Sequence, residues 1–173
     1  MQRSLSIWIV PPPDLRWRLE SFVARRGEGP AFTPHVTLVG DLRSDPAETL
    51  AAVHGVASTV LPLSIRFEGI ETGTSFFRSV FLRVQPTAEL LRAHRASCEA
   101  LGVTPNQDFD PHLSLAYGHV STAELAVLQR QVHRREIPGS RFRADALTVA
   151  HAASTVPIAK WVEIETIAPG GSS

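Results

Sequence analysis

The chain has 173 residues, which fits one compact domain or two small lobes sharing a cleft. Basic and acidic residues balance at 17 each, so the net charge is zero; that argues against non-specific binding to long nucleic acid and leaves room for a small phosphate ligand held by local donors. A hydrophobic fraction of 43 % is enough for a core, and a single cysteine, Cys98, excludes an internal disulfide.

Met1 to Ser4 leads straight into a strand-like run with no signal-peptide cleavage site. No apolar stretch reaches the roughly 18 residues of a membrane span. The protein is therefore expected in the cytoplasm, away from membranes and as a monomer. Leu5 to Val10 predicts a first strand, stopped by Pro11-Pro12-Pro13. Asp14 reads as the N-cap of a helix carrying Leu15, Leu19, Phe22 and Val23, with Gly27 as its stop. His35 to Gly40 is the next strand. Asp45-Pro46-Ala47-Glu48 is a strong helix start, and Leu50, Val53, Ala57 and Val60 continue its apolar face. Leu63 to Ile70 and Phe77 to Val84 read as strands. Thr87 caps a helix with Leu90, Leu91, His94, Cys98 and Leu101, ended by Gly102. His112 to Tyr117 is a strand, and Ser121-Thr122-Ala123-Glu124 is a capping box opening a helix towards Arg134. Phe142 to Ala150 and Lys160 to Ile167 read as a closing pair of strands, and residues 169–173 as a disordered tail.

The order is β-α-β-α-β followed by β-α-β-α-β-β. The second half echoes the first, which suggests two sheet-and-helix lobes related by an approximate twofold, with helices outside. The echo sharpens in Phe32-Thr33-Pro34-His35-Val36-Thr37-Leu38 and Phe109-Asp110-Pro111-His112-Leu113-Ser114-Leu115, offset by 77 residues (112 − 35). On a strand, His35 and Thr37 share a face, as do His112 and Ser114. The apolar residues between them face the other way, to anchor each strand. Two such strands in facing lobes would put two imidazoles and two hydroxyls into one cleft.

That set suits phosphodiester chemistry. One imidazole can take a proton from an attacking water while the other protonates the departing ribose oxygen. Thr37 and Ser114 can donate to the non-bridging phosphate oxygens. Neither a metal nor a cofactor is needed. A single His-x-Thr on a strand is ordinarily the polar face of a half-exposed sheet. Two of them, each with a Phe-x-Pro lead and a trailing Leu at equivalent places, favour the catalytic reading.

These paired motifs resemble the two-histidine (2H) phosphoesterase superfamily, and within it the plant- and yeast-type cyclic phosphodiesterases. Ser6-Ile7-Trp8-Ile9-Val10-Pro11 is similar to that group's opening strand. Glu71 to Leu82 looks like its mid-chain strand pair, and Pro111 to Tyr117 resembles its second motif. The resemblance implies an α+β fold of two intertwined lobes within one domain, residues 1–168, with two antiparallel sheets facing a central groove. It implies hydrolysis of ADP-ribose 1″,2″-cyclic phosphate to the 1″-phosphate, and of nucleoside 2′,3′-cyclic phosphates to 2′-phosphates. It carries catalytic roles to His35 and His112, phosphate contacts to Thr37 and Ser114, and substrate contacts to Tyr117 and Phe77. Tyr117 is out of phase with 112, 114 and 116, so it needs a bend near Gly118 to reach the cleft. Core packing is the competing reading for Phe77. Which histidine is base and which is acid follows from the substrate's pose and is left open by the near-symmetry of the motifs, with the leaning towards His112 as base and His35 as acid.

The other histidines read as structural. His54 and His94 fall within helices and His133 near a helix end. His119 is weighed as a rim residue and His151 as a strand terminus. No histidine pair has i, i+4 spacing and one cysteine makes no thiolate cluster, so no zinc site is expected. Cys98 reads as a small buried hydrophobe. Arg78 is left open between solvent and phosphate. The absence of a glycine-rich phosphate loop argues against ATP use. Two other functions compete: an enzyme of RNA 2′,3′-cyclic phosphate ends or a 2′-5′ RNA ligase-like protein, and a non-catalytic cyclic-nucleotide-binding module.

Overall fold

The computed structural model describes residues 1–23 and 31–170. Among them the elements run β1 (Arg3–Ile9), α1 (Pro13–Val23), β2 (Val36–Ser44), α2 (Pro46–Val60), β3 (Leu63–Ser75), β4 (Arg78–Val84), α3 (Ala88–Ala100), β5 (His112–Ala116), α4 (Thr122–Arg134), β6 (Arg141–Ala144), β7 (Leu147–His151) and β8 (Val162–Ile167). A short 3-10 turn, Ile158–Lys160, precedes β8, so that strand starts two residues later than expected. No described helix is long and apolar enough to cross a membrane.

The strands form an antiparallel sheet in the order β6-β3-β4-β5-β2-β1-β7-β8. The two sheets expected from the sequence are the two halves of this one. They join between β2 and β5 through the pair Val36 and Leu113. The boundary is not the chain's midpoint. One half takes β3 to β6 from the middle of the chain; the other takes β1 and β2 from its start and β7 and β8 from its end.

Alternation places the core. Leu5, Ile7 and Ile9 of β1, Val36 and Leu38 of β2, and Leu113 and Leu115 of β5 are fully buried. They form one cluster with Leu19, Val53, Leu90 and Leu128, one from each helix. The opposite face of the central strands is left for the cleft.

Three helix starts follow the expected chemistry. Asp45 accepts from the Ala47 N–H at 2.9 Å, with Pro46 at the first helical position. Thr87 accepts from the Leu90 N–H at 3.2 Å. Ser121 and Glu124 exchange the reciprocal bonds of a capping box. Helix α1 departs from expectation, because it opens on Pro13 and puts Asp14 inside its first turn. The stop at Gly27 and the last three residues of the tail lie outside the described residues.

Phe142 to Ala150 is two strands, not one. β6 pairs with β3 and β7 with β1, at opposite ends of the sheet. The inward residues change phase across the break, from Phe142 and Ala144 to Leu147 and Val149. That three-residue step is the sequence trace of the crossing. β3 also runs on to Ser75 and makes a long hairpin with β4. A Cβ added at Gly73 would overlap the carbonyl oxygen of Arg78, so the hairpin needs glycine there.

Candidate active site

Val36 and Leu113 point into the helix-covered core. Their neighbours His35, Thr37, His112 and Ser114 therefore point to the other face, and all four line a single cleft of about 790 Å³. The Val36–Leu113 register sets His35 across from Ser114 and Thr37 across from His112. The imidazoles thus take one diagonal of a small quadrilateral and the hydroxyls the other. Such diagonal neighbours lie about 7–8 Å apart, within reach of a group held between them.

Both rings are fixed in the same way. His35 Nδ1 donates to the Thr33 carbonyl at 2.7 Å, and His112 Nδ1 to the Asp110 carbonyl at 2.9 Å. A carbonyl only accepts, so each neutral ring carries its proton on Nδ1 and presents the bare lone pair of Nε2. The prolines explain the shared geometry. Pro34 and Pro111 disfavour helical backbone at the residues before them, Thr33 and Asp110, whose carbonyls turn to the ring two residues on.

Burial controls the charge of both rings. It pushes His35 down to about 4; the bond to Thr33 opposes this and the neighbouring His112 adds to it. Burial also lowers His112, opposed by its bond to Asp110, with Arg78 pushing down and the Asp110 charge pushing up. The free protein therefore holds both imidazoles neutral near pH 7.

The hydroxyls differ. Among the described residues Thr37 has no side-chain hydrogen bond, so its O–H is available to an anion. Ser114 donates to the Phe77 carbonyl at 3.2 Å. Its one proton is engaged, and it must rotate to serve a ligand. Burial raises the Tyr117 hydroxyl well above its ordinary value, so Tyr117 stays a neutral donor. Strand β5 ends at Ala116, Gly118 takes a positive φ of 76°, and Tyr117 turns into the cleft wall as expected. Phe77 lines the cleft too, with its ring parallel to Trp161 at 6.1 Å and 17°.

Three residues not chosen from the sequence join the site. Trp8 lies directly across β1–β2 from Thr37 and stacks on the His35 ring at 3.8 Å and 15°. Its place between the core residues Ile7 and Ile9, on the cleft face, was the signal. Trp161 lies beside Trp8 at 5.9 Å and edge-on to His35 and Tyr117. It arrives from a turn near the C-terminal end, which periodicity does not flag. Arg78 lines the cleft, pairs with Asp110 and lies over the Phe81 ring at 4.4 Å.

The remaining histidines are held by structural partners or lie exposed. His94 is buried, donates to the Leu38 carbonyl at 2.7 Å, accepts from the Asn106 N–H at 3.2 Å and stacks on Phe109. Cys98 is buried beside it. His54 meets Glu165 and His151 meets the Ser4 carbonyl. His119 and His133 are exposed. Among the described residues no group of three or more His, Cys, Asp or Glu side chains could hold a metal ion.

The fold is shared with solved proteins. Escherichia coli LigT complexed with 3′-AMP superposes with a TM-score of 0.61 at 16 % identity, covering 99 % of this chain and 100 % of that one. The protein TT0787 of Thermus thermophilus gives 0.61 at 20 % identity over the whole of both chains. At the centre of the sheet each half contributes one His-x-Thr/Ser segment, His35-Val36-Thr37 and His112-Leu113-Ser114. The sequence matches the family model of the 2′-5′ RNA ligase superfamily over residues 11–155, and the chain belongs to that superfamily. Within it, the chain is 26 % identical over 149 residues to a cyclic phosphodiesterase of Arabidopsis thaliana, covering 83 % of this chain and 82 % of that protein. It is 30 % identical over 159 aligned positions to a 2′,3′-cyclic-nucleotide 3′-phosphodiesterase of Eremothecium gossypii, covering 75 % and 74 % respectively.

Proposed function

We propose that this cyclic phosphodiesterase hydrolyses small cyclic phosphates, ADP-ribose 1″,2″-cyclic phosphate and nucleoside 2′,3′-cyclic phosphates, with His35 and His112 as its acid–base pair. One observation carries the reading: two Nε2 lone pairs, fixed by matching Nδ1–H bonds, enter one cleft on either side of two hydroxyls.

The cyclic phosphate lies between the rings, and one Nε2 takes a proton from water as its oxygen bonds to phosphorus. The P–O bond opposite breaks, and the other ring gives its Nε2 proton to the ribose oxygen that leaves. A nucleoside 2′,3′-cyclic phosphate so loses its P–O3′ bond and becomes the 2′-phosphate. Thr37 and a rotated Ser114 donate to the non-bridging oxygens as their charge grows. The acid must be doubly protonated beforehand. A bound phosphodiester anion favours that proton and offsets the cost of burial. Because both rings present the same nitrogen, the leaving oxygen decides the roles. A ribose on the Trp8 side makes His35 the acid and His112 the base, the division towards which the sequence leans. Phe77 and Trp161 offer parallel faces on which a base can stack.

A panel assay tests this. The purified protein, with chelator present, receives ADP-ribose cyclic phosphate, the 2′,3′-cyclic mononucleotides and an oligonucleotide ending in a cyclic phosphate. Turnover of the small molecules is expected. A strong preference for the oligonucleotide would move the assignment to RNA ends, in the cytoplasm or elsewhere. Binding without product would make the protein a non-catalytic module.

A further inference from the structure

The two motifs share Phe, Pro and His, but differ at the residue before proline, Thr33 in one and Asp110 in the other. These are the residues whose carbonyls hold the rings. Each is also tied down by its own side chain. Thr33 Oγ1 accepts from the Arg16 guanidinium at 3.2 Å and donates to Glu163 at 2.8 Å; Arg16 itself bonds Glu163 at 3.0 Å and Glu20 at 2.9 Å. The Asp110 carboxylate pairs with Arg78 and lies 3.5 Å from Arg83. Burial works to raise the Asp110 carboxyl, but the two arginines outweigh it and hold it ionised. Arg16 comes from α1 and Glu163 from β8, while Arg78 and Arg83 come from β4. The anchors come from different elements, yet each brings an arginine to the same position of its motif.

We propose that Thr33 and Asp110 are positioning residues, each locked by an arginine network so that its carbonyl holds the neighbouring catalytic ring as the Nδ1–H tautomer with Nε2 aimed at the substrate. The inference rests on the catalytic reading of His35 and His112. An imidazole that swings or changes tautomer presents a proton, or nothing, where the lone pair is required. The variable position of the motif is then as necessary as its constant ones, because any side chain that an arginine can grip will serve.

Thr33→Val keeps the shape and removes the hydroxyl; Asp110→Ala removes the carboxylate, and Asp110→Asn keeps an acceptor for Arg78. Steady-state kinetics on a 2′,3′-cyclic mononucleotide are read beside histidine side-chain ¹⁵N shifts, which report the tautomer of each ring. Thr33→Val and Asp110→Ala should each lower kcat by roughly 10- to 100-fold with KM within about twofold, as expected for a misplaced reacting group. Asp110→Asn should recover part of the loss. The ¹⁵N pattern should change at His35 alone in Thr33→Val and at His112 alone in Asp110→Ala. Unchanged kcat and ring shifts in both variants, while His35→Ala and His112→Ala are inactive, would overturn the positioning role and leave the catalytic reading standing. Full activity in His35→Ala and His112→Ala would instead remove the reading beneath it.

Discussion

At the residue scale the account depends on four side chains with unequal duties. His35→Ala and His112→Ala should each cost roughly 10²–10⁴-fold in kcat/KM, the range for a positioned acid or base. Thr37→Ala and Ser114→Ala should cost less. Steady-state assays rank them, and wild-type rates in either histidine variant would contradict the assignment. Burial makes a second prediction. The proposed mechanism needs one neutral and one protonated ring, and both rings are held below the ordinary histidine value of 6.5. The rate profile of kcat/KM should therefore peak on the acid side of 6.5 and fall on the alkaline side; a rate that climbs through neutrality would refute it. The same burial has a cost in stability. His35 binds its proton near 4 when folded but near 6.5 when unfolded, so between these values the unfolded chain holds more protons. Stability should be complete above about pH 6.5 and decline as pH falls towards 4, by up to ~3 kcal/mol from this ring. Urea unfolding at pH 7 and pH 4.5 measures the drop, and His35→Gln should shrink it.

At the element scale, the sequence was readable wherever one local rule decided the outcome. Asp45, Thr87 and Ser121 are helix caps in the sequence and in the fold, because a cap depends on three or four neighbouring residues. The rule gave way where the partner decides. The phase step from Ala144 to Leu147 marks a break, but it does not name the partners, β3 for β6 and β1 for β7. The hairpin β3–β4 carries a prediction of its own. It presents Phe77 and Arg78 to the cleft, and it closes tightly at Gly73. Gly73→Ala should splay the two strands, and the loss should split into a higher KM through Phe77 and a lower kcat through the Arg78 contact with Asp110. Kinetics with a 2′,3′-cyclic mononucleotide would show this split. An unaltered KM would mean that the hairpin tip does not touch substrate.

At the scale of the whole molecule, the site is where the two halves of the sheet meet. His35 and His112 were visible as an echo 77 residues apart because each motif sits on its own strand. Their meeting was not visible, since it depends on β2 pairing with β5 across the joint. Trp161 was missed for a similar reason: tertiary folding alone brings the turn before β8 over Phe77 and Tyr117. Leu113 lies at that joint, fully buried, with His112 on one side and Ser114 on the other. Leu113→Ala should cost about 2–5 kcal/mol by opening a cavity in the core, and should also lower kcat by disturbing both neighbours. Chemical denaturation and initial rates on the same sample would test whether the joint supports stability and catalysis together.

The placement of both imidazoles around a single phosphorus is tested most directly by an experimental structure with inorganic phosphate or sulfate in the cleft. The anion should lie between the rings, within hydrogen-bonding distance of both Nε2 atoms and of the Thr37 hydroxyl. An anion that touches one ring only, or that settles elsewhere while the rings face apart, would contradict the account.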